Sequence, residues 1–202
     1  MNVAQVAAEI MKREGTEYLL AYPLNPLTES CSAVGIRPII VRQERIGLHM
    51  ADCISRQTSG DKVGVFCQQV GPGCENSFGA VAQAFSEGVP LVVMPGGYPR
   101  EVSWVRPNFN ATLNYQHITK TCELITTPQM IVPAMRRAYT MARNGRPGPV
   151  VIEAVVDPHE PPLPPKIKAE QALHFAESLA RGTPNRGKIA LTVMSDTVRE
   201  IV

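Results

Sequence analysis

R-P-I-I-V-R-Q-E-R-I-G-L-H-M-A-D-C-I-S-R, residues 37–56, is the stretch whose reading decides the fold. Residues 37–43 hold the apolar run Ile39-Ile40-Val41 and read as a short strand. Residues 45–57 place Ile46, Met50, Ala51 and Ile54 at helical spacing, and that stripe predicts an amphipathic helix. Glu44 stands at the joint between the two. The same architecture returns one unit later. Residues 63–67 form an apolar run, V-G-P-G-C-E-N (70–76) makes the joint, and residues 74–87 predict a helix with Phe78, Val81, Ala84 and Phe85 inward.

Working outward, strand and helix patterns keep alternating. Residues 2–14 carry Val3, Val6, Ala7, Ile10 and Met11 on one helical face, with Gly15 as the stop. Residues 17–22 read as a buried strand. Asn25-Pro26 predicts a helix start with a capping side chain and a first-turn proline, and Gly35 its end. Residues 90–95 and 150–156 are further apolar strands, and 122–125 a weaker one. The helix ending at Gly145 is expected to begin near Val132, because Pro133 is not tolerated in a helix interior. Apolar runs separated by helices predict an α/β fold: a doubly wound, six-stranded, mostly parallel sheet covered on both faces. Residues 96–112, with Tyr98, Arg100, Trp104, Arg106 and Phe109, form a long loop, expected to be functional or to face a partner domain. Arginines such as Arg100 and Arg106 are most often solvated, though they suit a carboxylate or phosphate. After residue 157 the texture changes. Five prolines in the ten residues 157–166 predict an extended strap, so the expected division is a domain at 1–157, a Pro-rich linker at 158–168 and a tail at 169–202 that docks on this domain or a partner.

Composition narrows the function classes. A net charge of +2, aromatic content of 5% and no cluster of basic residues give no electrostatic reason to invoke nucleic acid or an anionic membrane. No apolar run approaches the ~20 residues of a membrane span. The five cysteines (Cys31, Cys53, Cys67, Cys74, Cys122) are spread out without a C-x-x-C pair, and three of them sit within apolar strand or helix patterns, which predicts buried thiols in a reducing compartment rather than disulfides or a zinc site. With no secretory pattern at the start of the sequence, the expectation is a cytoplasmic protein without a metal site of its own.

Ligands of open α/β sheets bind at the carboxyl ends of the strands. Three junctions fall there: Tyr22-Pro23-Leu24-Asn25, Gln43-Glu44-Arg45 and Gln68-Gln69-Val70-Gly71-Pro72-Gly73. The dinucleotide fingerprint fails because its third glycine position is Asn76, and no triphosphate-binding G-x-x-x-x-G-K-[ST] occurs. On position alone, Glu44 reads as a first-turn acid favoured by the helix dipole, and Gly71-Pro72-Gly73 as a tight turn.

In series the motifs say more. E-x-x-x-x-x-M-A-D-x-x-x-R from Glu44, G-P-G-x-x-N from Gly71, A-x-x-x-x-V-P-L-V-V-M-P-G from Ala84, Y-Q-H-I-T-K from Tyr115 and G-R-P-G-P-V-V-I-E from Gly145 follow in order. This series resembles the pyrimidine-binding domain of thiamine diphosphate enzymes, in the acetolactate synthase and 2-oxo acid decarboxylase group. The resemblance implies that Glu44 bonds N1′ of the cofactor aminopyrimidine. Proton exchange there would make the 4′-amine a base for the thiazolium C2 proton, and the cofactor would then act as an electron sink. Such a carboxyl works best partly desolvated. The resemblance further implies that Pro23, Gly71, Pro72, Gly73 and Asn76 border the cofactor. Leu24, Asn25, Gln69, Gln116 and His117 would lie on the substrate side. His117 also fits a solvated loop histidine, and His49 a packing or interface residue. Gln68 and Gln69 depart from the small residues the family favours before the glycine turn.

The family's diphosphate and Mg²⁺ are held by a second domain carrying G-D-G followed by asparagine; here Gly60-Asp61 is followed by Lys62. The resemblance therefore implies the small subunit of a split thiamine diphosphate lyase or carboligase. A larger partner chain would bind diphosphate and Mg²⁺, in a hetero-oligomer such as a heterotetramer acting on a small carbonyl substrate. A non-catalytic scaffold or regulatory subunit of the same fold, or a piece of a larger enzyme, are the alternatives.

Overall fold

The computed structural model describes residues 1–100, 102, 103, 105 and 108–156. Trp104, Arg106, the strap at 158–168 and the tail at 169–202 lie outside the described residues. Helix α1 (Val3–Arg13) opens with Asn2, whose side chain accepts from Gln5 N at 2.9 Å while Gln5 Oε1 accepts from Asn2 N, a reciprocal cap that satisfies two end donors. Then come β1 (Tyr18–Ala21), α2 (Asn25–Ala33), β2 (Arg37–Ile40), α3 (Glu44–Gln57), β3 (Gly64–Gln68) and α4 (Pro72–Glu87). The second half holds β4 (Leu91–Pro99), α5 (Ala111–Tyr115), β5 (Thr121–Ile125), a 3-10 turn (Pro128–Met130), α6 (Ile131–Arg143) and β6 (Pro149–Val156).

All six strands are parallel, in the order β2-β1-β3-β4-β6-β5. Parallel strands buried on both faces are largely apolar, and β3 is buried throughout with Gln68 as its one polar residue. Successive residues serve opposite layers. Leu19, Ala21, Val65, Cys67, Val150 and Ile152 pack with α1, α2 and α6. Leu20, Phe66, Val93 and Val151 pack with α3, α4 and α5. The chain leaves β1 outward to β2 and returns to β3 on the other side of β1, so a crevice opens at the carboxyl ends of β1 and β3.

Several local expectations are corrected. Leu24, not Asn25, occupies the N-cap of α2 and makes no side-chain cap bond; Asn25 is already helical. On α3, Ile46 is 53% exposed and Met50 also faces solvent. The buried face of α3 is instead Gly47, Leu48, Ala51, Asp52 and Ser55. Close approach explains the change: a Cβ on Gly47 would stand 2.6 Å from the Phe66 ring, and one on Gly64 2.0 Å from the Ala51 carbonyl oxygen. Phe78 and Phe85 of α4 are likewise part-exposed while Cys74, Ser77, Ala80, Val81 and Ala84 face the sheet. Strand β4 runs on to Pro99, pairing Gly96 with Ala154, so the 96–112 segment starts as sheet and not as loop. Pro133 is the third residue of α6, within the first turn, where a helix needs no N–H from it. The cysteines need no such correction: Cys31, Cys67 and Cys74 are buried, Cys122 is part-buried and Cys53 is exposed.

Candidate active site

The carboxyl edge of the sheet gathers the three junctions singled out in the sequence. Glu44 is the first residue of α3 and is only 6% exposed. Its Oε2 accepts a hydrogen bond from Asn76 Nδ2 at 3.1 Å, bridging the first turns of α3 and α4. Its Oε1 faces Gly73: a Cβ added there would lie 3.4 Å from Oε1 and 3.6 Å from Gln69 Cβ. A buried carboxylate thus has one oxygen fixed by an amide and the other beside a backbone stripped of side chain. Burial of an acid with so few protein donors leaves it ready to take a donor from a bound molecule.

The turn before α4 is built to come close. Gly71 caps α4 with φ of 69° and ψ of −116°, a conformation that disfavours any side chain. A Cβ on Gly71 would also meet the Tyr98 hydroxyl at 2.7 Å, so the ring of Tyr98 leans over the turn from the end of β4. Leu24 closes the neighbouring side: its Cδ1 would stand 3.0 Å from a Cβ on Gly96. Pro23 and Leu24 are half-buried and Asn25 and Gln69 exposed, at the ends of β1 and β3.

Among the described residues, Gln116 and His117 make no hydrogen bond to Glu44, Asn76 or the glycine turn. Both are exposed, and their side chains meet each other at 3.4 Å. The segment that follows descends to the opposite edge of the sheet, where Lys120 N donates to Pro149 O at the start of β6. Tyr98 enters the sequence analysis only as part of the 96–112 loop and Tyr115 only as the start of a motif, neither with a site role; one leans over Gly71 and the other lies beneath α4. Burial pushes the thiols of Cys74 and Cys122 up to about 12, with Glu153 adding to the shift, so neither is a ready nucleophile. Among the described residues, no group of three His, Cys, Asp or Glu side chains is arranged to hold a metal ion. Nor is any described helix long and apolar enough to cross a membrane.

A family model described as the thiamine pyrophosphate enzyme, N-terminal TPP binding domain, matches residues 1–118. The chain belongs to this family. It is 28% identical over 174 residues to the acetolactate synthase large subunit of Haemophilus influenzae, covering 80% of this chain and 29% of that protein. It is also 28% identical over 155 residues to 2-hydroxyacyl-CoA lyase 2 of Danio rerio, covering 74% of this chain and 25% of that protein. A probable acetolactate synthase large subunit of Methanococcus aeolicus is 28% identical over 221 residues, covering 100% of this chain and 35% of its own length. The chain therefore spans between a quarter and about a third of these relatives.

Family membership implies thiamine diphosphate, and Glu44, Gly71, Gly73 and Asn76 fit one end of it. A flat aminopyrimidine needs a carboxylate within reach of a ring nitrogen and a bare backbone against its face. The oxygen of Glu44 beside Gly73 and the side-chain-free turn from Gly71 to Gly73 offer these.

Proposed function

We propose that this chain provides the pyrimidine half of a thiamine diphosphate site and that Glu44 is its proton-transferring group. The observation that carries this reading is the Glu44 carboxylate itself: buried at the strand-helix joint, held by Asn76 and flanked by Gly73. When bound, the cofactor supplies the electron sink for making or breaking a C–C bond beside a carbonyl. Glu44 exchanges a proton with the ring nitrogen N1′ of the aminopyrimidine. Asn76 fixes the rotamer of Glu44, so that the free oxygen faces the ligand. The Gly71-Pro72-Gly73 turn lets the ring approach the backbone, while Pro23, Leu24 and Tyr98 exclude water from one side. Asn25 and Gln69, exposed at the same edge, face the substrate side. Gln116 and His117, exposed just beyond Tyr115, belong to the same substrate side.

The diphosphate and Mg²⁺ are held by a larger partner chain, and the working unit is a hetero-oligomer such as a heterotetramer. The likeness to acetolactate synthases and a 2-hydroxyacyl-CoA lyase supports a lyase or carboligase acting on a small carbonyl compound.

Purification from the native host under mild conditions, with the associated chains identified, tests the assembly. A stoichiometric partner carrying G-D-G followed by asparagine is expected; a chain that co-purifies with nothing and binds no cofactor is a scaffold instead. In the recovered complex, Glu44→Gln should slow exchange of the cofactor C2 proton by about 10²- to 10⁴-fold, the usual worth of a general acid-base. Wild-type exchange in that variant would remove Glu44 from the mechanism.

A further inference from the structure

We propose that Tyr115 is a positioning residue for Glu44, acting from beneath α4 through Cys74 and Ser77, with Gln68 as its buried support. The inference rests on the reading of Glu44 given above. Tyr115 is fully buried at the end of α5, and its ring packs against Phe78 at 5.5 Å and Phe109 at 6.2 Å. Its hydroxyl donates to the carbonyl oxygen of Cys74 and lies 2.8 Å from Ser77 Oγ, which is itself 3.2 Å from the same carbonyl. Gln68 Nε2 donates to the hydroxyl from the sheet side at 3.4 Å.

The position of these contacts matters because of what they bracket. Gly73 and Asn76, the two α4 residues that address Glu44, sit in the same turn as Cys74 and Ser77. That turn starts from Gly71, which has no side chain with which to cap it, so the usual anchor of a helix start is absent. The Tyr115 hydroxyl supplies an anchor from within. Burial pushes the Tyr115 pKa up, so the phenol keeps its proton and remains a donor.

Gln68 is the second line of argument. It is 0% exposed in an otherwise apolar strand, and its Oε1 has no hydrogen-bond partner. A buried carboxamide with an orphan oxygen is worse for stability than an apolar side chain of similar size. The fold gains one long hydrogen bond from it at that position, set against the buried oxygen left unpaired. What it does provide is an N–H aimed at Tyr115.

The test uses three variants in the chain recovered with its partner, and in the chain alone. Tyr115→Phe keeps the ring and removes only the hydroxyl. It should speed amide exchange at residues 74–78 at least tenfold and lower affinity for thiamine diphosphate about tenfold. Gln68→Leu removes the orphan oxygen together with the N–H. It should raise Tm while lowering cofactor affinity, a combination that a purely structural role does not give. If Tyr115→Phe and Gln68→Leu leave cofactor affinity unchanged, or move it only in step with Tm, the inference is wrong. Glu44→Gln separates the two claims: should it retain turnover, the reading of Glu44 fails, and the exchange rates at 74–78 still decide whether Tyr115 holds the turn. Should it lose turnover while both other variants bind normally, only the Tyr115 inference fails.

Discussion

Replacing Gly73 with alanine should make the protein more stable and less able to bind its cofactor. Gly73 is the second residue of α4 and does not have a positive φ, so alanine fits its backbone. Exchanging glycine for alanine at a compatible helical position stabilises by about 0.5–1 kcal/mol, mostly by restricting the unfolded chain. For a chain of this size that is a rise in Tm of about 1–4 °C. The new methyl would lie 3.4 Å from Glu44 Oε1, 3.6 Å from Gln69 Cβ and 4.0 Å from Gln68 Cβ, so the empty site accommodates it with a shift of a few tenths of an ångström. A cofactor ring lying on that same face meets a methyl where there was none. Overpacking of this kind costs about 1–3 kcal/mol, or roughly 5- to 150-fold in affinity. The control is Gly71→Ala, which adds a side chain at φ of 69° and sets it 2.7 Å from the Tyr98 hydroxyl. Its φ of 69° with ψ of −116° lies outside even the left-handed helical region, so that variant should lose about 1–3 kcal/mol from backbone conformation alone. Thermal melts of the chain and titration of the partner-bound complex with thiamine diphosphate measure both effects. A stabilised Gly73→Ala that binds cofactor at wild-type affinity refutes the placement of the ring against this turn.

Burial raises the thiols of Cys31, Cys67, Cys74 and Cys122 from 9.0 to about 12, so each favours the folded state while protonated. Their contribution is complete below pH 9 and is lost as pH climbs towards 12, at roughly 1 kcal/mol per thiol between pH 9 and 10. Urea melts at pH 8, 9 and 10 should show falling midpoints, and Cys67→Ala should flatten the slope; constant midpoints would contradict the burial. Cys53 alone is exposed among the cysteines, so iodoacetamide should label one site in the native chain and five after denaturation, as counted by mass spectrometry. Gly64→Ala places a methyl 2.0 Å from the Ala51 carbonyl oxygen and should cost at least about 3 kcal/mol in a urea melt, separating α3 from β3. Calorimetry should find weak binding of thiamine diphosphate to the isolated chain; tight binding would mean that no partner is needed to hold the diphosphate.

The order and type of the strands and of the five longer helices were legible because parallel strands buried on both sides are largely apolar, and every such run in residues 1–156 became a strand; the short α5 was not foreseen. Helix phase was less legible. Apolar periodicity in α3 pointed to Ile46 and Met50, yet the helix presses its small residues to the sheet, with Gly47 against Phe66 and Ala51 against Gly64. Where backbones approach this closely, the buried face is the one with least side chain, and a hydrophobic pattern selects the wrong one. In α4 the same reversal exposes Phe78 and Phe85 and buries Ser77 and Ala80. The extension of β4 to Pro99 was hidden for a related reason: Pro95, Gly96 and Gly97 read as breakers, whereas a Cβ on Gly97 would collide with the Ala154 carbonyl at 2.5 Å. Glycine there marks contact between strands and not the end of one.

Glu44 shows the limit from the other direction. Sequence position alone allowed a solvated first-turn acid, and only the motif series favoured a site. The structure adds the physical distinction, because the shielding of Glu44 comes largely from afar: Asn76 is 32 residues on, and Gly73 lies in the same distant turn. Tyr115 lies 38 residues beyond Ser77 and bonds to it from below. Local pattern cannot encode such contacts; they follow from the switch in strand order that sets the β3 turn beside the end of β1 and against the start of α3. A carboxylate ordinarily avoids burial unless its oxygens are satisfied. Here a bare-backbone turn faces the oxygen that Asn76 does not hold, so the proposed ligand would find at Gly73 both the space to approach and an acceptor not yet taken.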